Sequence, residues 1–144
     1  MMEYIIFEDD EHKKMFKQFC GKVVQNGKKL DGYHMAIAYL FTLDTACKEH
    51  IDDVFDFRTD GIKPDGLSKG WQTSTSVRTT HLAFNLWNGY CYDGDTYVDK
   101  QGYERELPSA DYTPDNIFCD SMAKYFFEAI KLRYSQYFGD IEIF

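Results

Sequence analysis

The chain has 144 residues, the length of one domain, and its 44% hydrophobic and 17% aromatic content supplies a core and argues against disorder. A formal net charge of −8, from 24 acidic and 16 basic residues, speaks against direct binding of a DNA or RNA backbone. No apolar run approaches the ~18 residues of a membrane span, no basic start precedes an apolar leader, and the four cysteines form no C-x-x-C pair, so the expectation is one cytoplasmic domain over residues 1–144 with reduced thiols.

Residues 3–7, EYIIF, are short and β-prone. The acids Glu8, Asp9, Asp10 and Glu11 then suit a helix N-terminus, where orphan N–H groups and the positive dipole end meet negative charge. Met15, Phe16, Phe19, Cys20 and Val23 form one apolar stripe, and Asn26 and Gly27 stop the predicted helix. Six lysines and no acid lie between residues 12 and 30, so the acidic excess lies wholly outside that segment. Asp31 is the N-cap of a second predicted helix running to about Lys48. Its interior, YHMAIAYLFTL, is apolar nearly all round, which predicts a central, buried helix.

A short helical turn near 51–56 and a loop with Gly61, Pro64 and Gly66 come next. Residues 74–88 form the next predicted helix, ending at Asn88 and Gly89. Residues 90–107 alternate around YCY and TYV and predict a hairpin or irregular excursion near Asp93 and Gly94. Thr113 and Pro114 open a last helix to about Phe138, and the tail IEIF over 141–144 offers a pairing partner for EYIIF. The predicted fold is therefore mainly α (α+β): a compact helical domain of about four helices with a small β hairpin or paired terminal strands.

The stretch WQTSTSVRTTHLAFNLWNG over 71–89 holds both tryptophans. On a helical wheel at about 100° per residue, Ser74, Arg78, His81, Asn85 and Asn88 share one arc of roughly 80°, and the rest of the circle is apolar or small hydroxyl residues. That is the reverse of a surface helix, and it predicts an interior helix with a polar stripe. Arg78 needs a partner if buried, with Asp31, Asp52, Asp53 and Asp56 as candidates and His81 able to share it. The stripe is then either a satisfied packing network, with Asn85 and Asn88 capping loop backbone, or the wall of a pocket. In the second case Trp71 and Gln72 stand at its mouth, and Arg78 and His81 bind an anion or act on a substrate.

This signature, with LDGYHMAIAYLFTL and FDFRTDGIKPDGL before it, resembles a family of small proteins of unknown function from Gram-positive, mostly gut bacteria and their mobile elements. The resemblance covers roughly residues 30–90. It implies a bacterial accessory protein, phage- or plasmid-borne, and transfers no catalytic residue.

Asp31 with His34, and His50 with Asp53, are spaced as ligand pairs but match no metal motif, and no metal or other cofactor is expected. No nucleotide cradle or nucleophile elbow is present. General acid–base work by Arg78, His81 and Asn85 is the enzymatic alternative, or binding of a small anion. The leading expectation is a binding module that engages, and can inhibit, a host protein such as a nucleic-acid-handling or defence factor. Its acidic surface would be Glu49, Asp52, Asp53, Asp56 and Asp60, with Asp93, Asp95 and Asp99 as a second patch. The oligomeric state is left open.

Overall fold

The computed structural model describes residues 2–143. Among the described residues there are seven α-helices, rather than about four, and six short strands: β1 (Met2–Tyr4), α1 (Asp10–Gln25), α2 (Gly32–Leu43), α3 (Thr45–Glu49), α4 (Ile51–Val54), β2 (Phe55–Asp56), β3 (Gly61–Ile62), α5 (Ser74–Asn88), β4 (Tyr92–Val98), β5 (Glu104–Pro108), α6 (Pro114–Ile117), α7 (Ala123–Arg133) and β6 (Asp140–Glu142).

The extra helices come from two breaks. The second predicted helix stops at Leu43 because Asp44 turns extended and its carboxylate accepts the N–H of Cys47, capping a new helix. The last predicted helix is interrupted between Ile117 and Ala123, where Asp120 accepts the N–H of Met122. The helix over 74–88 has the predicted bounds. Thr73 and Ser76 close a capping box at its start, and Gly89 ends it at φ 78°, a left-handed conformation that favours glycine.

Three two-stranded sheets form: β1 with β6, β2 with β3, and β4 with β5. The termini do pair, in parallel, with Met2 opposite Asp140 and Tyr4 opposite Glu142; Phe144, which ends the predicted pairing segment, lies outside the described residues. The β4–β5 turn falls at Asp99–Gly102, and Asp93–Gly94 belongs to an irregularity inside β4.

The hub is α2, whose residues from Ala36 to Leu43 are all buried. It packs against α1, α5 and α7, which together enclose it. The helix over 74–88, predicted to be interior, is one of the three helices that pack around α2. Phe16, Phe19, Cys20 and Val23 of α1 enter the core as the stripe predicts, and so do Phe126, Ala129 and Leu132 of α7. Buried hydroxyls are satisfied within their helices: Thr42 donates to Ala38 O at 2.6 Å, Thr79 to Thr75 O at 3.0 Å and Thr80 to Ser76 O at 2.8 Å.

Polar tethers lock the periphery to this core. His12 is buried in α1, with Nδ1 accepting the Glu8 N–H and Nε2 donating to Tyr39 O at 2.9 Å. Those two bonds define a neutral ring. His34 is held on both sides, with Nδ1 2.7 Å from Asp31 and Nε2 2.7 Å from Asp60, and its ring meets Trp87 edge-on. Asp60 reaches it from a backbone at φ 58°, the one positive value among the described non-glycine residues. Trp71 stacks on His50 at 4.6 Å and donates to Asp53 at 2.8 Å.

Gly66, in a 3₁₀ turn at Pro64–Ser68, lies so close to α4 that a Cβ would stand 2.5 Å from Asp53 O and 2.7 Å from Val54 Cγ1. Gly66→Ala is expected to lower stability by about 1–3 kcal/mol, measured by urea unfolding. Burial holds the His12 imidazole below its ordinary 6.5, outweighing the raising pull of the Tyr39 carbonyl and Asp9. The unfolded chain therefore takes up a proton near pH 6.5 that the folded chain refuses, and stability falls as pH drops below that value. His12→Gln is expected to flatten part of this fall in melting curves between about pH 7 and about pH 5.

Candidate functional site

The outward arc of α5 faces two adjoining clefts that share Val77, His81 and Asp111. The smaller, of about 520 Å³, has Gln72, Ser74 and Arg78 on one wall and Asn116 and Cys119 on the other. The larger, of about 650 Å³, opens toward the 3₁₀ turn that carries Asp65 and Leu67 and toward the root of the β4–β5 hairpin at Tyr92, Asp93 and Glu106.

His81 is the centre of this geometry. It is 4% exposed, its ring rests against Tyr112 at 4.4 Å, and Nε2 stands 3.2 Å from Asp93 Oδ1. Ser109 donates to the other oxygen of Asp93. Burial pushes the His81 imidazole below its ordinary value, against the raising effect of Asp93 and Asp111. A neutral ring whose Nε2–H is held by a carboxylate keeps its lone pair on Nδ1. No group among the described residues donates to that nitrogen.

Arg78 does not pair with Asp31, Asp52, Asp53 or Asp56, the four partners anticipated. Its Nε and Nη2 donate to Asp120, in the break between α6 and α7. A continuous last helix left Asp120 as one more position on a helix face; the interruption turns it toward α5. His81 does not share that partner but has Asp93. Asn85 Nδ2 donates to Tyr90 O at 3.3 Å and Asn88 Oδ1 accepts the Tyr90 N–H at 3.1 Å, so both hold the exit of α5. Trp71 lines neither cleft. Gln72 is tied down, donating to Gly66 O at 3.0 Å and accepting from Ser76 at 2.6 Å.

The anticipated acidic surface is largely engaged within the fold. Asp53 is bound by Trp71 and Asp60 by His34. Asp56 accepts the N–H groups of Arg58 and Thr59, which hold its carboxyl below the usual range. Asp93 serves His81, and Asp99 takes Arg105 and the hairpin turn's amides, with Arg105 the main cause of its lowered carboxyl. Glu49, Asp52 and Asp95 remain exposed. The acids that line the larger cleft besides Asp93 are Asp65, Glu106 and Asp111, none of which stood out in the sequence. Their only signal there was a place in turn-forming or hairpin segments.

Among the described residues no group of three or more His, Cys, Asp or Glu is arranged to hold a metal ion. All four cysteines are free; burial pushes the Cys20 and Cys47 thiols up to about 12, and Cys47 contacts Thr80 and Ser76 rather than a histidine. No helix among the described residues is long and apolar enough to cross a membrane. The Arg78–Asp120 pair is part-exposed, which limits its worth. Arg78→Ala and Asp120→Ala are each expected to cost about 1–2 kcal/mol in urea unfolding, with the double variant costing less than the sum.

No curated protein and no solved structure matches the chain. A profile described as "Family of unknown function (DUF6075)" matches residues 2–142, nearly the whole length, and the chain belongs to that family.

Proposed function

We propose that this protein is a protein-binding module whose larger α5 cleft receives a cationic side chain of a basic partner. One observation carries the reading. The cleft is lined by the acids Asp65, Asp93, Glu106 and Asp111, by His81 and by Tyr90 and Tyr92, with no Lys or Arg among its lining residues. Such a wall accepts hydrogen bonds and attracts positive charge, and tyrosine faces add cation–π attraction. An anion would meet net repulsion there. In the adjoining cleft the Arg78 charge is already answered by Asp120, which argues against the anion-binding alternative. The setting we propose is that of an accessory protein, phage- or plasmid-borne, that engages and inhibits a basic host factor such as a nucleic-acid-handling or defence protein.

The test is an NMR-monitored titration of the whole chain with Nα-acetyl-arginine amide at low salt, with the neutral citrulline analogue as control. Arginine amide is expected to bind and citrulline not to. Asp65→Asn with Asp111→Asn, both exposed, is expected to weaken binding about tenfold without changing the melting temperature. Binding is expected to fade with added salt and with falling pH, as His81 gains a positive charge in the cleft wall. Equal binding of citrulline would sink the reading.

A further inference from the structure

We propose that the β4–β5 hairpin is a docking arm that takes an extended, basic segment of a partner protein as a third strand. This rests on the reading above, because the arm's root forms one wall of the larger cleft. Among the described residues the two strands pair only with each other, which leaves each with an outer edge that no third strand covers. From Asp93 to Leu107 every residue but Asp99 is exposed. A lone two-stranded hairpin is marginal in water, and an open edge is a template for another chain.

The register sorts the arm into two faces. Tyr97 lies opposite Arg105, so Tyr97, Tyr103, Arg105 and Leu107 share one side. Tyr97, Tyr103 and Leu107 are 47%, 64% and 45% exposed, large apolar groups that the fold leaves only partly covered. Arg105 lies over the Tyr103 ring and is paired with Asp99, so this face is apolar and close to neutral. The opposite face carries Val98, 69% exposed, with Thr96, Glu104 and Glu106.

Charge decides the occupant. Asp93, Asp95, Asp99, Glu104 and Glu106 outnumber Lys100 and Arg105 on the arm. A second copy would bring the same acids against these, on a chain of net charge −8. A basic segment meets the opposite sign along the arm and at the cleft below it. Strand addition supplies main-chain hydrogen bonds, and alternate side chains read the face beneath.

The experiment uses the whole chain and the peptide acetyl-(Lys-Val)5-amide, with its fully backbone-N-methylated counterpart and acetyl-(Glu-Val)5-amide as controls. Affinity is read by calorimetry and the contact by hydrogen exchange. Expected are binding of the first peptide alone and slowed exchange within β4 or β5. Tyr97→Ser with Tyr103→Ser is expected to lower peptide affinity at least about tenfold while leaving arginine amide binding unchanged. Equal binding of the N-methylated peptide, no slowing on either strand, or an unaltered double variant would each overturn the proposal. So would a dimer of the free chain that the double variant abolishes, which would make a second copy the occupant. Peptide protection without arginine amide binding leaves the arm standing and removes the cleft; the reverse result removes the arm alone.

Discussion

A helix that is apolar around its whole circumference cannot face water, and α2 imposes that constraint on everything else. Burying a run such as Ala36 to Leu43 requires neighbours on every side, and α1, α5 and α7 supply them. The wide face of α5 is suited to this contact because Ser76, Thr79 and Thr80 are small and close their own hydrogen bonds. Once that face is turned to the core, the arc with Arg78 and His81 must turn outward. The clefts follow from that orientation.

The polar contacts share a logic. His34, Trp71, Arg78 and His81 each find a carboxylate; the contacts of His34, Arg78 and His81 tie a peripheral segment to a helix of the core, and that of Trp71 ties the loop before α5 to α4. Several carboxylates that look available in the sequence are held by neighbours, and those left without such a partner include the three beside Asp93 in the larger cleft. Acids without a side-chain partner thus stand beside His81 as well as at Glu49 and Asp52.

The β4–β5 hairpin stands apart from this economy. It contributes nothing to the helical core beyond its root, yet it carries exposed tyrosines and an acidic margin. Its root is fixed: Tyr112 donates to Tyr92 O at 3.0 Å, and Asp93 is bound by His81 and Ser109. A firmly rooted, otherwise uncovered arm beside an acidic cleft makes one continuous surface of the two features.

By itself the sequence determined the local elements: the acidic start of α1, the cap at Asp31, the stop at Gly89, the apolar circumference of α2 and the inverted wheel of α5. These depend on residues three to four positions apart, and the backbone period makes them legible. The tertiary structure alone decided the partners. Asp120 reaches Arg78 because α6 and α7 are separate helices, a break that no Gly or Pro marks. Asp93 reaches His81 because the hairpin turns at Asp99–Gly102 rather than at Gly94. Asp60 reaches His34 through a positive φ that no pattern of residue types announces. Helical periodicity is a property of neighbours in the chain; an ion pair or a cleft wall is a property of the path between them, which only the packed fold sets.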